Sequence, residues 1–131
     1  MAQILVANDN CDLLECCREI LEADGHVVQI VADGEKAVQL ARTWHPDAVV
    51  IDWVMPQSDG PSAIAALRAD PATEGIPILL MSGTEQGETT SAEIGADAFL
   101  RKPFVAKDLS TAVERLLEAT DARRGDEAVS E

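Results

Sequence analysis

Asp47-Ala48-Val49-Val50-Ile51-Asp52-Trp53-Val54-Met55-Pro56 is the stretch on which the fold turns. Its run from Ala48 to Ile51 has no polar alternation, as a central parallel strand requires when both of its faces are covered. The run stops at an acid, which puts Asp52 on the lip of a buried strand. Three other runs end the same way. Ile4-Leu5-Val6-Ala7 leads into Asn8-Asp9, Ile78-Leu79-Leu80-Met81 into Ser82, and Ala98-Phe99-Leu100-Arg101 into Lys102. In parallel strands of one sheet these ends share an edge, and open α/β sheets bind ligands at that edge. The polar groups are therefore expected to converge on a single site.

Outward from this stretch, five short apolar runs alternate with five segments of helical period. The strands are read at Gln3 to Ala7, His26 to Val31, Ala48 to Ile51, Ile76 to Met81 and Asp97 to Arg101. The first helix, Cys11 to Ala23, places Leu13, Leu14, Cys17, Ile20 and Leu21 on one face, and Gly25 closes it. Asp33-Gly34 opens the second, which carries Ala37, Val38, Ala41 and Trp44 to a stop at Pro46. The third runs from about Gly60 to Arg68, ended by Asp70-Pro71. Gly83 to Gly95 follows with only Ala92 and Ile94 as clear anchors, so it is the helix expected to be least firmly held. The last, Ala106 to Ala119, turns Leu109, Ala112, Val113, Leu116 and Leu117 inward. Strict β-α alternation implies a doubly wound five-stranded parallel sheet with right-handed crossovers and helices on both faces.

The bulk properties narrow the function classes. A chain of 131 residues fits one domain with a core of its own. No apolar stretch approaches the roughly 20 residues of a bilayer span, and the N-terminus has no basic segment before a long apolar one, so a cytoplasmic protein with no membrane partner is expected. A net charge of −14 and few aromatic residues disfavour direct contact with nucleic acid. Cys11, Cys16 and Cys17 are odd in number and lack the paired spacing of a zinc site, so they are read as small buried hydrophobes. No Gly-x-Gly-x-x-Gly or Gly-x-x-x-x-Gly-Lys-Ser/Thr motif is present to cradle a nucleotide phosphate.

The strand-end groups suggest a different chemistry. Two carboxylates meeting at one edge need a cation or a raised pKa. Oxygen ligands without histidine or cysteine suit magnesium, or manganese in its place, and magnesium invites phosphate. The Lys102 ammonium and the Ser82 hydroxyl can then serve phosphoryl oxygens. A carboxylate can also be the nucleophile, and Asp52 on the central strand is the better placed one.

Asn8-Asp9, Asp52-Trp53-Val54-Met55-Pro56-x-x-Asp59-Gly60, Ser82-Gly83 and Lys102-Pro103-Phe104, in this order, resemble the receiver domain of bacterial two-component response regulators, single-domain chemotaxis regulators included. The resemblance covers residues 3 to about 119. It implies a flavodoxin-like sheet of order 2-1-3-4-5 and a phosphoacceptor, Asp52, served by a histidine kinase or histidine phosphotransfer protein. Asp9 then resembles the acid that contacts magnesium, Val54 the residue whose backbone carbonyl completes its coordination, and Ser82 the switch hydroxyl. Lys102 resembles the phosphate partner, Phe99 the aromatic that turns inward on activation, and Lys102-Pro103 the family's cis peptide. Val54 and Thr84 resemble the positions that tune phosphoryl lifetime.

One departure stands out. The family usually has two acids where this chain has Asn8-Asp9. An amide oxygen at Asn8 would orient a metal-bound water without adding charge, so weakened magnesium affinity is expected. A haloacid-dehalogenase-like phosphatase would need a second acid at Val54, and an adaptor working without phosphorylation is the other rival. With a receiver over residues 1–120 and a charged, frayed tail over 121–131, the chain is expected to stand alone. It would act not as an enzyme on other substrates but by altering its binding face for a downstream protein.

Overall fold

The computed structural model describes residues 2–55, 59–83 and 90–129, with 120–129 as backbone only. Gln3–Ala7 (β1), Val27–Val31 (β2), Ala48–Asp52 (β3), Ile78–Ser82 (β4) and Ala98–Arg101 (β5) form one parallel sheet in the order β2-β1-β3-β4-β5. Four helices are complete among the described residues: Cys11–Ala23 (α1), Gly34–Trp44 (α2), Gly60–Ala69 (α3) and Ala106–Val129 (α4). The expected fold class and strand order are those observed.

Local chemistry sets the points where strand gives way to helix. Asn10, Asp33 and Asp59 each hold the N-cap, their side-chain oxygens accepting the backbone N–H of Leu13, Lys36 and Ser62. Such a cap contributes about 1 kcal/mol and fixes where the first turn begins. At the other end of α1, Gly25 and His26 donate to the carbonyls of Glu22 and Leu21, the paired closure typical of a glycine-ended helix.

The sheet is covered on both sides, as the apolar composition of β1, β3 and β4 requires. On one face Ile4, Val6, Val50 and Met81 pack with Leu14, Cys17 and Leu21 of α1 and Leu109, Val113 and Leu116 of α4. On the other, Leu5, Ala7, Ile51 and Leu80 pack with Ala37, Val38 and Ala41 of α2 and Ala63, Ile64 and Leu67 of α3. β3 and β4 are buried along their whole length, whereas β2 alternates and leaves Val27 47% exposed, as an edge strand should.

Two expectations are corrected. Only Cys17 is buried; Cys11 and Cys16 lie on the outer side of α1. β4 begins at Ile78, since Pro77 has no N–H to donate and the Arg68 guanidinium takes the Ile76 carbonyl at 2.7 Å. Of the expected helix from Gly83 to Gly95, residues 84–89 lie outside the described residues. Its end is visible: Ala96 donates to Ser91, Gly95 to Ala92, and Gly95 has the positive φ of 101° that such an ending needs.

Arg68, a residue the sequence did not single out, ties this region together. Its guanidinium bonds the carbonyls of Gly95, Glu74 and Ile76 and pairs with Asp97 at 2.7 Å. Asp97 Oδ2 also accepts the N–H of Ile78, so one carboxylate fixes the starts of both β4 and β5. Gly60 does the corresponding work at the opposite edge. Its N–H donates to Trp53 O at 2.8 Å, and a Cβ there would meet Asp52 O at 2.5 Å and Trp53 Cα at 2.9 Å. Neither atom can move without shifting the end of β3. Gly60→Ala is therefore expected to cost about 2 kcal/mol of stability, in the range of overpacked sites, measured by urea unfolding.

Candidate functional site

The ladder continues past the formal strand ends and brings the site residues level. Asn8 N–H donates to Val31 O at 3.1 Å, Trp53 N–H to Met81 O at 2.9 Å, and Lys102 N–H to Ser82 O at 2.9 Å. The register pairs Ala7 with Ile51, Asp52 with Met81 and Ser82 with Arg101. Asn8, Asp52, Ser82 and Lys102 thus end four adjacent strands along one edge.

Asp52 is 3% exposed, and Lys102 Nζ lies 2.7 Å from its Oδ1. The ammonium remains 31% exposed, so only one of the two charges is fully withdrawn from water. Burial pushes the Asp52 carboxyl above the usual carboxylate range; the Lys102 ammonium opposes that shift, the nearby Asp9 charge adds to it, and the Val54 backbone N–H opposes it. Asp9 is exposed at the rim, Ser82 is buried at 3% exposure, and Val54 is 67% exposed. The Lys102-Pro103 peptide is cis, as the resemblance implied.

Beneath the carboxylate lies Cys17, fully buried, whose thiol burial pushes up to about 12, with the charges of Cys16 and Asp52 adding to the shift. A thiol so held stays protonated, which removes it as a nucleophile and leaves it a small buried group of the core. Phe99 is half-buried against the Leu80 face at the sheet's edge, and a cavity of about 450 Å³ between β5 and α4 opens beside it. Thr84 lies outside the described residues, as does Pro56 of the Asp-x-x-Met-Pro motif.

The residues fit a hard divalent cation. Asp9 and Asp52 are close enough for each charge to be felt by the other, and their donors are oxygens. Among the described residues no cluster of three or more His, Cys, Asp or Glu side chains could hold a metal, so further ligands would be backbone oxygen and water. That arrangement suits magnesium, which uses few carboxylates and keeps several waters. Asn8 Oδ1 accepts the Asn10 backbone N–H at 2.9 Å.

Comparison with known proteins agrees with this geometry. The family model described as response regulator receiver domain matches residues 4–114. The transcriptional regulatory protein PrrA of Mycobacterium bovis is 36% identical over 130 residues, covering 98% of this chain and 53% of that protein. The DNA-binding dual master transcriptional regulator RpaA of Synechocystis is 33% identical over 123 residues, covering 92% and 51%. The chain thus spans about half the length of these curated relatives. Expectations of a stand-alone chain without a nucleic-acid partner gain no support from relatives with such names.

Among solved structures, a putative response regulator from Chloroflexus aurantiacus superposes with a TM-score of 0.85 at 29% identity, covering 89% of this chain and 98% of that one. The receiver domain of a sensor histidine kinase from Pseudomonas aeruginosa, with a magnesium ion coordinated in its active site cleft, gives 0.83 at 28% identity and the same coverage. A chemotaxis response regulator of Vibrio cholerae gives 0.83 at 26% identity, covering 88% and 98%.

The raised Asp52 carboxyl makes a pH prediction. A group that binds its proton more tightly when folded destabilises the fold above its raised value, and the penalty disappears as pH falls below the ordinary carboxylate range. Asp52→Asn should therefore unfold at a higher denaturant midpoint than wild type at pH 7. The difference should shrink as pH is lowered through the acidic range, and a difference independent of pH would show that the buried charge is not its cause.

Proposed function

Because the chain belongs to the response regulator receiver family, we propose that Asp52 accepts a phosphoryl group from a phosphohistidine of a histidine kinase or histidine phosphotransfer protein. The observation that carries this reading is the buried Asp52 carboxylate, held 2.7 Å from Lys102 at the edge where Ser82 also ends its strand. The Lys102 charge opposes the effect of burial and favours the ionised form, the nucleophile. A carboxylate oxygen bonds to phosphorus as the phosphorus–nitrogen bond breaks, and the released imidazole takes a proton from solvent. Lys102 is placed to offset charge on the equatorial phosphoryl oxygens, since positioning and electrostatics dominate such transfers.

Asp9, Asp52 and the Val54 carbonyl would hold magnesium, or manganese in its place. When bound, that ion supplies charge neutralisation between the two carboxylates and the incoming phosphoryl group. Ser82, buried beside Asp52, is the hydroxyl that a new phosphoryl oxygen would draw in. Such a movement would act on the end of β4, and Phe99 is half-buried on the neighbouring strand in register with Leu80. The altered face of β5 and α4 is then what a downstream protein reads. In this reading the receiver is a phosphoacceptor acting in the cytoplasm, whose only catalysis is on its own phosphoryl group. No helix among the described residues is long and apolar enough to cross a membrane.

Incubation with acetyl phosphate and magnesium should add one phosphoryl mass to the wild-type chain and none to Asp52→Asn. Lys102→Ala should slow the modification roughly 100-fold, the scale for removing one preorganised electrostatic partner. Continuous release of phosphate without a modified chain would mark a phosphatase, and no reaction at all an adaptor. Magnesium affinity, followed by Trp53 fluorescence in a Trp44→Phe background, should tighten several-fold in Asn8→Asp as a carboxylate joins the donor set. Tightening below about twofold would sink the expectation that Asn8 weakens magnesium binding.

A further inference from the structure

Among the described residues, two buried side-chain atoms have no hydrogen-bond partner, Asn8 Nδ2 and Asp52 Oδ1. Their coincidence at one edge calls for explanation, because buried polar groups are nearly always satisfied. Ala7 is in register with Ile51, so the next residues, Asn8 and Asp52, stand abreast on β1 and β3 and on the same face of the sheet. One atom is a donor lacking an acceptor. The other, Asp52 Oδ1, has the Lys102 ammonium 2.7 Å away as its ion-pair partner, so the Asn8 donor is the group left with nothing.

The orientation of the Asn8 amide is set by the chain. Asn8 is 1% exposed, and its Oδ1 accepts the Asn10 backbone N–H at 2.9 Å. Reversing the amide would turn its NH2 toward that N–H, donor against donor. The end left over for the site is therefore Nδ2. A divalent cation would repel an N–H donor, so a metal leaves Asn8 Nδ2 unaccounted for. A phosphoryl group on Asp52, joined as an acyl phosphate, would offer Nδ2 an oxygen acceptor.

We propose that Asn8 donates a hydrogen bond from Nδ2 to an oxygen of the phosphoryl group carried on Asp52, and so serves the phosphoryl group and not the metal. This rests on the reading of Asp52 as the acceptor. It gives the substitution of an amide for an acid at this position a positive role. What the site gives up in metal binding it gains as a neutral donor to the transferred group, beside the Lys102 ammonium and the Ser82 hydroxyl.

The test separates the two ligands. Magnesium affinity is measured by calorimetry, and affinity for beryllofluoride, which mimics a phosphoryl group on a carboxylate, by Trp53 fluorescence at saturating magnesium in the Trp44→Phe background. Asn8→Ala should weaken beryllofluoride about tenfold, the scale of one lost hydrogen bond to a charged group, and leave magnesium affinity within about twofold. Asn8→Asp keeps an acceptor for the Asn10 N–H while losing the donor, so it should weaken beryllofluoride yet tighten magnesium; thermal melts establish that both variants are folded. Beryllofluoride affinity unchanged in both variants, as for an amide that merely holds water, or weakened magnesium in Asn8→Ala, would overturn the proposal. Failure of the wild type itself to bind beryllofluoride in a manner blocked by Asp52→Asn would overturn the acceptor reading along with it, and is recognisable because the parent protein is then silent.

Discussion

The ion pair between Asp52 and Lys102 is the constraint to which the rest of the structure answers. A carboxylate exposed by only 3% is expensive to keep ionised, and one ammonium at 2.7 Å offsets that cost. For the ammonium to arrive there, β5 must end level with β4, which the Lys102 N–H to Ser82 carbonyl bond secures. For the carboxylate to be there, β3 must run uninterrupted to its last residue, which its burial between two helical layers secures. The fold and the site are in this sense one problem, because the same registry that satisfies the backbone also aligns the charges.

Electrostatics elsewhere in the chain sharpens this local arrangement. The net charge of −14 is carried by a surface of acids, yet the described edge brings one cation inward to a buried acid. Cys17, buried in the core nearby, stays a protonated thiol and adds no charge of its own. Low polarisability around a charge pair strengthens it and makes each missing partner more costly. That is why the unsatisfied Asn8 donor beside this pair carries information about what the site receives.

Much of this was legible in the sequence because it depends on period and punctuation. The unbroken apolar run Ala48 to Ile51 announced a central strand, and the polar residue after each run announced the edge. Asn10, Asp33 and Asp59 stood where caps are needed, so helix starts fell where they were read. Exposure of Cys11 and Cys16 was misjudged because cysteine reads as a hydrophobe wherever it sits on a helix. Two features were beyond any local signal: the Arg68 contacts join residues far apart in the chain, and the orientation of the Asn8 amide depends on one backbone N–H. The close approach of Gly60 to Asp52 had a faint trace in the Asp59-Gly60 pair, which reads equally well as an ordinary helix start.

Arg68 and Asp97 bind the sheet at the end remote from the carboxylate. With β4 and β5 pinned at their origins and paired in register out to Ser82 and Arg101, the two strands resemble a beam clamped at one support. A rearrangement at the tip would leave the anchored end in place, so a change at the rim need not loosen the core.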